Sequence, residues 1–274
     1  MKTAGKLFAG TVLYCLATVS ALTQETVPGK VYVAEVVGGV TFTMGGKVIN
    51  LKKGDSLPVQ GARIETAGAA SVILVYSNGT SILIDEKTIV EIRKFIQKPF
   101  PGGVDTAVLE PSVSDTLASI IQGRVIVIAN ELASGTSMIY LTPQSQVKIR
   151  GKEVVIDVRD QETRISMLAG DATVMPQNAG PDNLGQPLHG GQTAVVTNSA
   201  ATGPETIQVT ALDQNFLNSV SLQVAATERA QKVVVFQTVS PAGGGPPEIQ
   251  AKSVVPVNLP VPLTVSPSTL RTGD

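Results

Sequence analysis

Short runs of β-branched and aliphatic residues alternate along this chain with polar and glycine-containing reversals. Leu51-Lys52-Lys53-Gly54-Asp55 leads to Gly61-Ala62-Arg63-Ile64-Glu65-Thr66, then to Ser71–Tyr76, Asn78-Gly79-Thr80 and Ser81–Ile84. Gly-Asp and Asn-Gly signals between such runs predict short strands joined by tight turns. In a first block, residues 30–97, the pattern predicts strands over 31–37, 40–44, 47–51, 62–66, 71–76, 81–84 and 88–96. In the last of these, Val90 and Ile92 alternate with Glu91 and Arg93, so one face is dry and the other wet. Gly45-Gly46 and Asn78-Gly79 supply the positive φ that two-residue hairpin turns require.

Residues 98–116 open with Lys98-Pro99-Phe100-Pro101-Gly102-Gly103 and read as a linker, because proline cannot donate to a strand ladder. A second block, 117–200, predicts strands over 124–129, 137–141, 146–149, 153–158, 163–168, 172–175 and 193–197. The two blocks are faintly alike. Thr66, Asn78-Gly79 and Ile82-Leu83-Ile84-Asp85 have echoes in Thr142, Arg150-Gly151 and Val154-Val155-Ile156-Asp157, with drifting spacing. A helix-containing segment, 205–239, follows. Leu212, Phe216, Val220 and Val224 form one stripe of a helix running from Thr210 to about Gln231, started by a capping-box-like Thr210-Ala211-Leu212-Asp213. The stripe packs on the sheet or binds a partner helix-first, and 233–239 forms a final strand. From 240 to 274 the chain is rich in proline and glycine, which favours extended or disordered backbone, as a spacer or as a segment that adds to a partner.

The pattern is that of an all-β protein, with stacked short strands, one helix near the C-terminus and a Pro-rich tail. Composition agrees: 26 glycines and 17 prolines punctuate the apolar runs, there is no tryptophan, and aromatic residues make up only 4%. Residues 1–21 read as an export signal. Lys2 and Lys6 give the positive start, Leu7 to Ala17 an apolar stretch shorter than a bilayer span, and Val19-Ser20-Ala21 the small residues of a cleavage site. The alternative is an N-terminal membrane anchor. A lipid-modified Cys15 is disfavoured by Tyr14 before it. Cleavage after Ala21 would take Lys2 and Lys6 from 21 basic residues, leaving 19 against 22 acidic ones, a net charge of −3, and would remove the single cysteine. The mature chain of about 250 residues suits one large all-β domain or two small ones. Disulfides, a cysteine nucleophile and thiolate metal sites are then excluded. A near-neutral balance without a basic run argues against nucleic acid, and no stretch after the signal reaches membrane-spanning length.

Candidate chemistry is sparse. His189, in Pro187-Leu188-His189-Gly190-Gly191, is the only histidine, so a histidine triad or multi-histidine zinc site is excluded, and it reads as an exposed turn residue. Gly45-Gly46-Lys47-Val48 is a hairpin turn rather than a phosphate loop, and there is no Gly-x-Ser-x-Gly elbow. Asp85-Glu86 and the group Asp157, Asp160 and Glu162 place carboxylates at strand ends, with Arg159 and Arg164 among them, which suggests surface ion pairs. No calcium loop is present, and nothing singles out a catalytic carboxylate pair. Tyr32, Phe42, Tyr76, Phe95, Phe100 and Tyr140 are the few aromatics of the β region that could form a sugar-stacking platform. Asn78-Gly79-Thr80 matches a glycosylation sequon, yet its place between strands makes it a turn. No catalytic, cofactor-binding or metal-binding residue is named and no cofactor is expected.

The run from Leu51 through Gly54-Asp55, Ile64-Glu65-Thr66, Ser71–Leu74 and Asn78-Gly79-Thr80 to Ile82–Ile84 resembles the FecR domain, the periplasmic part of ferric-citrate-type sensor proteins. The likeness covers about 36–96. It extends more loosely to 197 through Gly123-Arg124-Val125, Leu141-Thr142-Pro143, Ile149-Arg150-Gly151, Leu168-Ala169-Gly170-Asp171 and His189-Gly190-Gly191-Gln192. Lys152 stands where the family favours threonine. The resemblance implies a sandwich or solenoid-like stack of strands in a periplasmic or secreted envelope protein. It implies a partner that is an envelope protein, either an outer-membrane receptor or an anti-sigma protein, or a second copy of the chain. Where members of that family carry a cytoplasmic sigma-regulating domain and a transmembrane helix, the expectation for this chain is an export signal in their place. The expectation is therefore a non-catalytic exported binding protein with a role in sensing or signal relay. The alternatives are a structural envelope or matrix component and, behind both, an enzyme.

Overall fold

The computed structural model describes residues 25–101, 109–180, 182–197 and 206–254. The expected export signal, residues 102–108 of the expected linker and residues 255–274 of the expected tail lie outside them. The strands are β1 (Val27–Pro28), β2 (Lys30–Val37), β3 (Val40–Met44), β4 (Lys47–Asn50), β5 (Ser56–Pro58), β6 (Ala62–Thr66), β7 (Ser71–Tyr76), β8 (Ser81–Ile84) and β9 (Ile89–Gln97). They continue with β10 (Ser114–Ala129), β11 (Ser137–Leu141), β12 (Ser145–Val158), β13 (Glu162–Pro176), β14 (Gln186–His189), β15 (Gln192–Thr197) and β16 (Thr206–Ala211). Helix α1 (Gln214–Ala230), β17 (Val234–Val239) and β18 (Glu248–Ser253) complete the described fold, which is all-β with one helix.

The first sixteen strands hydrogen-bond into one sheet that doubles over into two layers. The first layer runs β4-β3-β6-β9, then the N-terminal half of β10, β11, the N-terminal half of β12, the C-terminal half of β13, and β14. The second runs β5-β2-β7-β8, then the C-terminal halves of β10 and β12, the N-terminal half of β13, β15 and β16. Three long strands therefore belong to both layers. Each crosses at a glycine with positive φ: Gly123 in β10, Gly151 in β12 and Gly170 in β13. A Cβ on Gly123 would lie 2.2 Å from Thr88 Oγ1, and one on Gly170 would lie 2.0 Å from the Gly151 carbonyl oxygen, so only glycine fits these corners.

Alternation along each strand sorts side chains between the faces. Val31, Val33, Leu74, Tyr76, Ile82, Ile84, Val125, Val127, Val154 and Ile156 fill the space between the layers together with Ile64, Phe95, Met138 and Tyr140. The opposite faces of the same second-layer strands carry Tyr32, Ala34, Ile73, Val75, Leu83, Ile126, Ile128 and Val155. These are covered by α1 through Val220, Val224 and Ala230, and by the β17–β18 hairpin through Val234, Phe236 and Ile249. The middle of the second layer, from β2 through β7 and β8 to the C-terminal halves of β10 and β12, is largely dry on both faces, which is why these strands read as nearly unbroken apolar runs. The first layer is dry on its inner face alone, so Arg63, Glu65 and Glu91 appear on the outside of β6 and β9.

Several expected boundaries shift. Residues 114–116, assigned from sequence to a linker, begin β10, where Lys94 pairs with Asp115 across β9 and β10. The expected strands 146–149 and 153–158 are one strand, β12, as 163–168 and 172–175 are one strand, β13. The helix begins after Asp213, whose carboxylate accepts from the Asn215 amide at 2.9 Å, whereas Thr210 and Ala211 end β16. Within the expected tail, Glu248–Ser253 forms β18. β1, β5, β14 and β16 had no counterpart in the sequence reading.

Candidate interaction site

Two of the carboxylates singled out in sequence, Asp85 and Asp157, converge on one arginine. Arg124 in β10 lies opposite Asp157 in β12, and the Asp85 amide bonds the Arg124 carbonyl at 3.0 Å. The Arg124 guanidinium donates to Asp157 at 2.9 Å, approaches Asp85 at 3.8 Å and sits 5.9 Å above the Phe216 ring of α1. Gln223 of α1 donates to Asp85 at 3.3 Å. Burial acts to raise the Asp157 carboxyl, but hydrogen bonds from Arg124 and Arg159 outweigh it and hold it below its usual range. Glu162 pairs with Arg164 at 2.9 Å. The arrangement fastens a helix to a sheet and leaves its acidic oxygens engaged by cations. Among the described residues no three His, Cys, Asp or Glu side chains are grouped to hold a metal ion.

The remaining sequence candidates resolve into structural roles. His189 ends β14 and its Nδ1 lies 2.6 Å from Asp171 Oδ1, both exposed. Asn78 and Thr80, of the sequon, are buried. The Asn78 amide donates to Ser114 Oγ at 3.1 Å, and the Gly79 carbonyl accepts from Gln231 at 2.9 Å and Asn130 at 3.1 Å. That hairpin tip is thus a polar socket for the C-terminal end of α1, and it has no room for a sugar. Tyr32, Phe42, Tyr76, Phe95, Phe100 and Tyr140 are all buried, so they pack the interior and offer no stacking platform. Arg164, Ser166, Thr193, Thr210, Asp213 and Phe216 line a groove of about 190 Å³. That is less than the roughly 300–1,000 Å³ common for small-molecule sites. No described helix is long and apolar enough to cross a membrane.

A different feature stands out at the rim of the first layer. β4 pairs with β3 through the Gly45-Gly46 turn, and among the described residues no strand pairs with its other edge. The Leu51 amide bonds the Val40 carbonyl at 3.0 Å, which sets the phase of the ladder. In an antiparallel ladder bonded and non-bonded pairs alternate. Lys47 and Ile49 therefore bond toward β3, while the N–H and C=O groups of Val48 and Asn50 point outward. Val48 is 64% exposed and Ile49 42%, although Ile49 lies opposite the buried Phe42 and faces the interior side. Sequence reading recognised the strand but not its edge position, because pairing order is set by residues distant in the chain.

No family model matches the chain, and no curated protein matches it. Among solved structures, two crystal structures of a candidate anti-sigma factor from Parabacteroides distasonis are similar to it. One has 16% identity and a TM-score of 0.43 over 59% of this chain and 64% of that one. The other has 15% identity and a TM-score of 0.41 over 58% of this chain and 63% of that one. The chain thus spans just under two thirds of the length of these similar proteins.

Proposed function

We propose that this protein is a non-catalytic, exported interaction module of the bacterial cell envelope, and that it engages a protein partner by strand addition to β4. The observation that carries this reading is the open edge itself, with the outward groups of Val48 and Asn50 unpaired among the described strands and two apolar side chains exposed. An added strand would gain main-chain hydrogen bonds along β4 and would bury Ile49, the combination that strand-addition sites use. The export-like first residues and the FecR-like run between Leu51 and Ile84 support an envelope location and a role in sensing or signal relay.

A photo-reactive residue at Ile49, introduced into the protein in its native envelope, tests this. The expected result is one crosslinked partner in stoichiometric amount, and no such crosslink when Val48→Pro is added. That second change deletes an outward amide while leaving the β3 ladder intact. Partner binding unaffected by Val48→Pro would overturn the assignment of β4. Recovery of copies of the chain alone would instead favour a structural component of the envelope.

A further inference from the structure

The large sheet ends in β4 and β5 at one side of its strand order and in β14 and β16 at the other. An unpaired edge invites pairing with another chain, and short strands, lysine and proline restrict which strands can add. Three of these four strands carry such a device. β5 has three residues and holds Pro58, β14 has four and holds Pro187, and β4 has four and holds Lys47. β16 is built differently. Its six residues, Thr206-Ile207-Gln208-Val209-Thr210-Ala211, include no charge and no proline, and four of them are β-branched.

β16 pairs with β15 from Thr206 opposite Thr197 to Ala211 opposite Gln192, and among the described residues no strand pairs with its other edge. The Leu212 amide bonds the Gly191 carbonyl at 2.8 Å, one rung beyond Ala211. Bonded and non-bonded pairs alternate in an antiparallel ladder, so Thr206, Gln208 and Thr210 bond toward β15. The amides and carbonyls of Ile207, Val209 and Ala211 therefore point outward. Thr206, Gln208, Thr210 and Ala211 are exposed, while Ile207 and Val209 are half-buried against the core between the layers.

We propose that β16 pairs antiparallel with β16 of a second copy of the chain, about a two-fold axis at Val209. With Val209 opposite Val209 of the second copy, Ile207 stands opposite Ala211. Every outward amide and carbonyl then has a partner, with three donors from each copy. On one face the large Ile207 meets the small Ala211 on either side of the axis. On the other Gln208 faces Thr210, and the two can hydrogen-bond. A charge on a strand paired with itself lies near its own kind across the axis, which destabilises the pair, and β16 has none. This charge compatibility and the closed, self-complementary register favour a second copy over an unlike strand. The pairing does not depend on the reading of β4, which lies at the opposite end of the sheet. On that reading, the dimer presents two partner edges.

Sedimentation of the purified protein across a dilution series, with amide hydrogen exchange, tests the proposal. The expected result is a reversible monomer–dimer equilibrium in which the Ile207, Val209 and Ala211 amides exchange roughly tenfold slower in the dimer. Val209→Pro deletes the outward amide on the axis, removes no bond to β15, and should give a monomer. Cysteines read the register without touching the ladder. In a chain carrying Cys15→Ser, Val209→Cys should oxidise in air to a linked dimer, because facing Cα atoms of a bonded pair lie about 5.5 Å apart. Gln208→Cys, on a diagonal about 7–8 Å from its copy, should not. A chain that is monomeric at every concentration would overturn the proposal, as would a dimer that survives Val209→Pro or equal linking from both cysteines. Slow exchange that persists on dilution would show β16 covered from within its own chain and would exclude the pairing. A crosslink from Ile49 to an envelope partner in a chain that stays monomeric would refute the β16 dimer and leave the β4 edge intact.

Discussion

At the scale of single residues, the interior is tightly filled and mostly satisfied, with Tyr76 an instructive exception. Its ring meets Phe95 edge-on at 5.0 Å, and its hydroxyl has no hydrogen-bond partner among the described residues. Burial pushes the Tyr76 phenol well above its ordinary value, with the nearby Tyr140 phenol adding to the shift, so it stays neutral. A buried, unpartnered hydroxyl costs desolvation without return. Tyr76→Phe, which keeps the ring packing, should therefore raise unfolding stability by about 1 kcal/mol, as read from urea denaturation midpoints. A loss of stability would mean that the hydroxyl has a partner in solution.

At the scale of elements, the strands of the first block were nearly all legible from the chain. Val40–Met44, Ala62–Thr66, Ser71–Tyr76 and Ser81–Ile84 begin and end where the alternation and the turn residues place them. The long strands were not. Gly123, Gly151 and Gly170 look in sequence like reversals, and they do adopt positive φ, but they bend a continuing strand from one layer into the other. Local chemistry is the same for both outcomes, and only the cross-strand partners decide. The faint internal likeness makes sense in this light. Ile84 and Ile156 flank the same residue, Val125, from opposite sides, just as Asp85 and Asp157 flank Arg124. β14 and β18 were missed because proline and glycine around them signal loops, and β16 because its apolar positions alternate with exposed polar ones too close to a helix start. Of the candidate site, the strand Lys47–Asn50 and its turn were legible, while its place at a sheet end depends on the partners of β3, β6 and β9. Gly123→Ala tests the corner. The added Cβ would meet the Thr88 backbone at 2.6 Å at a φ of +88°. A destabilisation of about 3 kcal/mol or more is expected, measured by thermal unfolding, and a near-neutral effect would show that the corner relaxes.

At the scale of the whole molecule, two carboxylates on the outer face of the second layer tie the helix to the sandwich with opposite responses to acid. The Glu153 carboxyl is raised by burial and by the neighbouring Glu228 of α1, against a smaller opposing effect of Lys152. Its folded value exceeds that of the unfolded chain, near about 4.3, so its contribution is full below that pH and is lost as pH rises through the folded value. Asp157 is lowered, so its contribution is present above about pH 3.9 and is lost as pH falls through its folded value. Glu153→Gln should therefore raise the melting temperature more at pH 7 than at pH 4. Asp157→Asn should lower it at pH 7, with the difference shrinking in acid. Melting curves from pH 7 down to well below about pH 3.9 would check both, and parallel offsets at every pH would contradict the assigned ionisations.

The sharing of β10, β12 and β13 between layers has a mechanical consequence. In a sandwich whose sheets touch only through side chains, a sideways load can slide one sheet over the other. Here, besides the connecting loops, three strands run unbroken through both sheets, so shear on the first layer passes through peptide bonds into the second. A pull on β4 cannot be relieved by slippage, and the rim must yield first, with the β3–β4 hairpin unzipping one rung at a time. The fold thus behaves as a stiff mount with a compliant lip. The lip is the edge proposed above for partner binding.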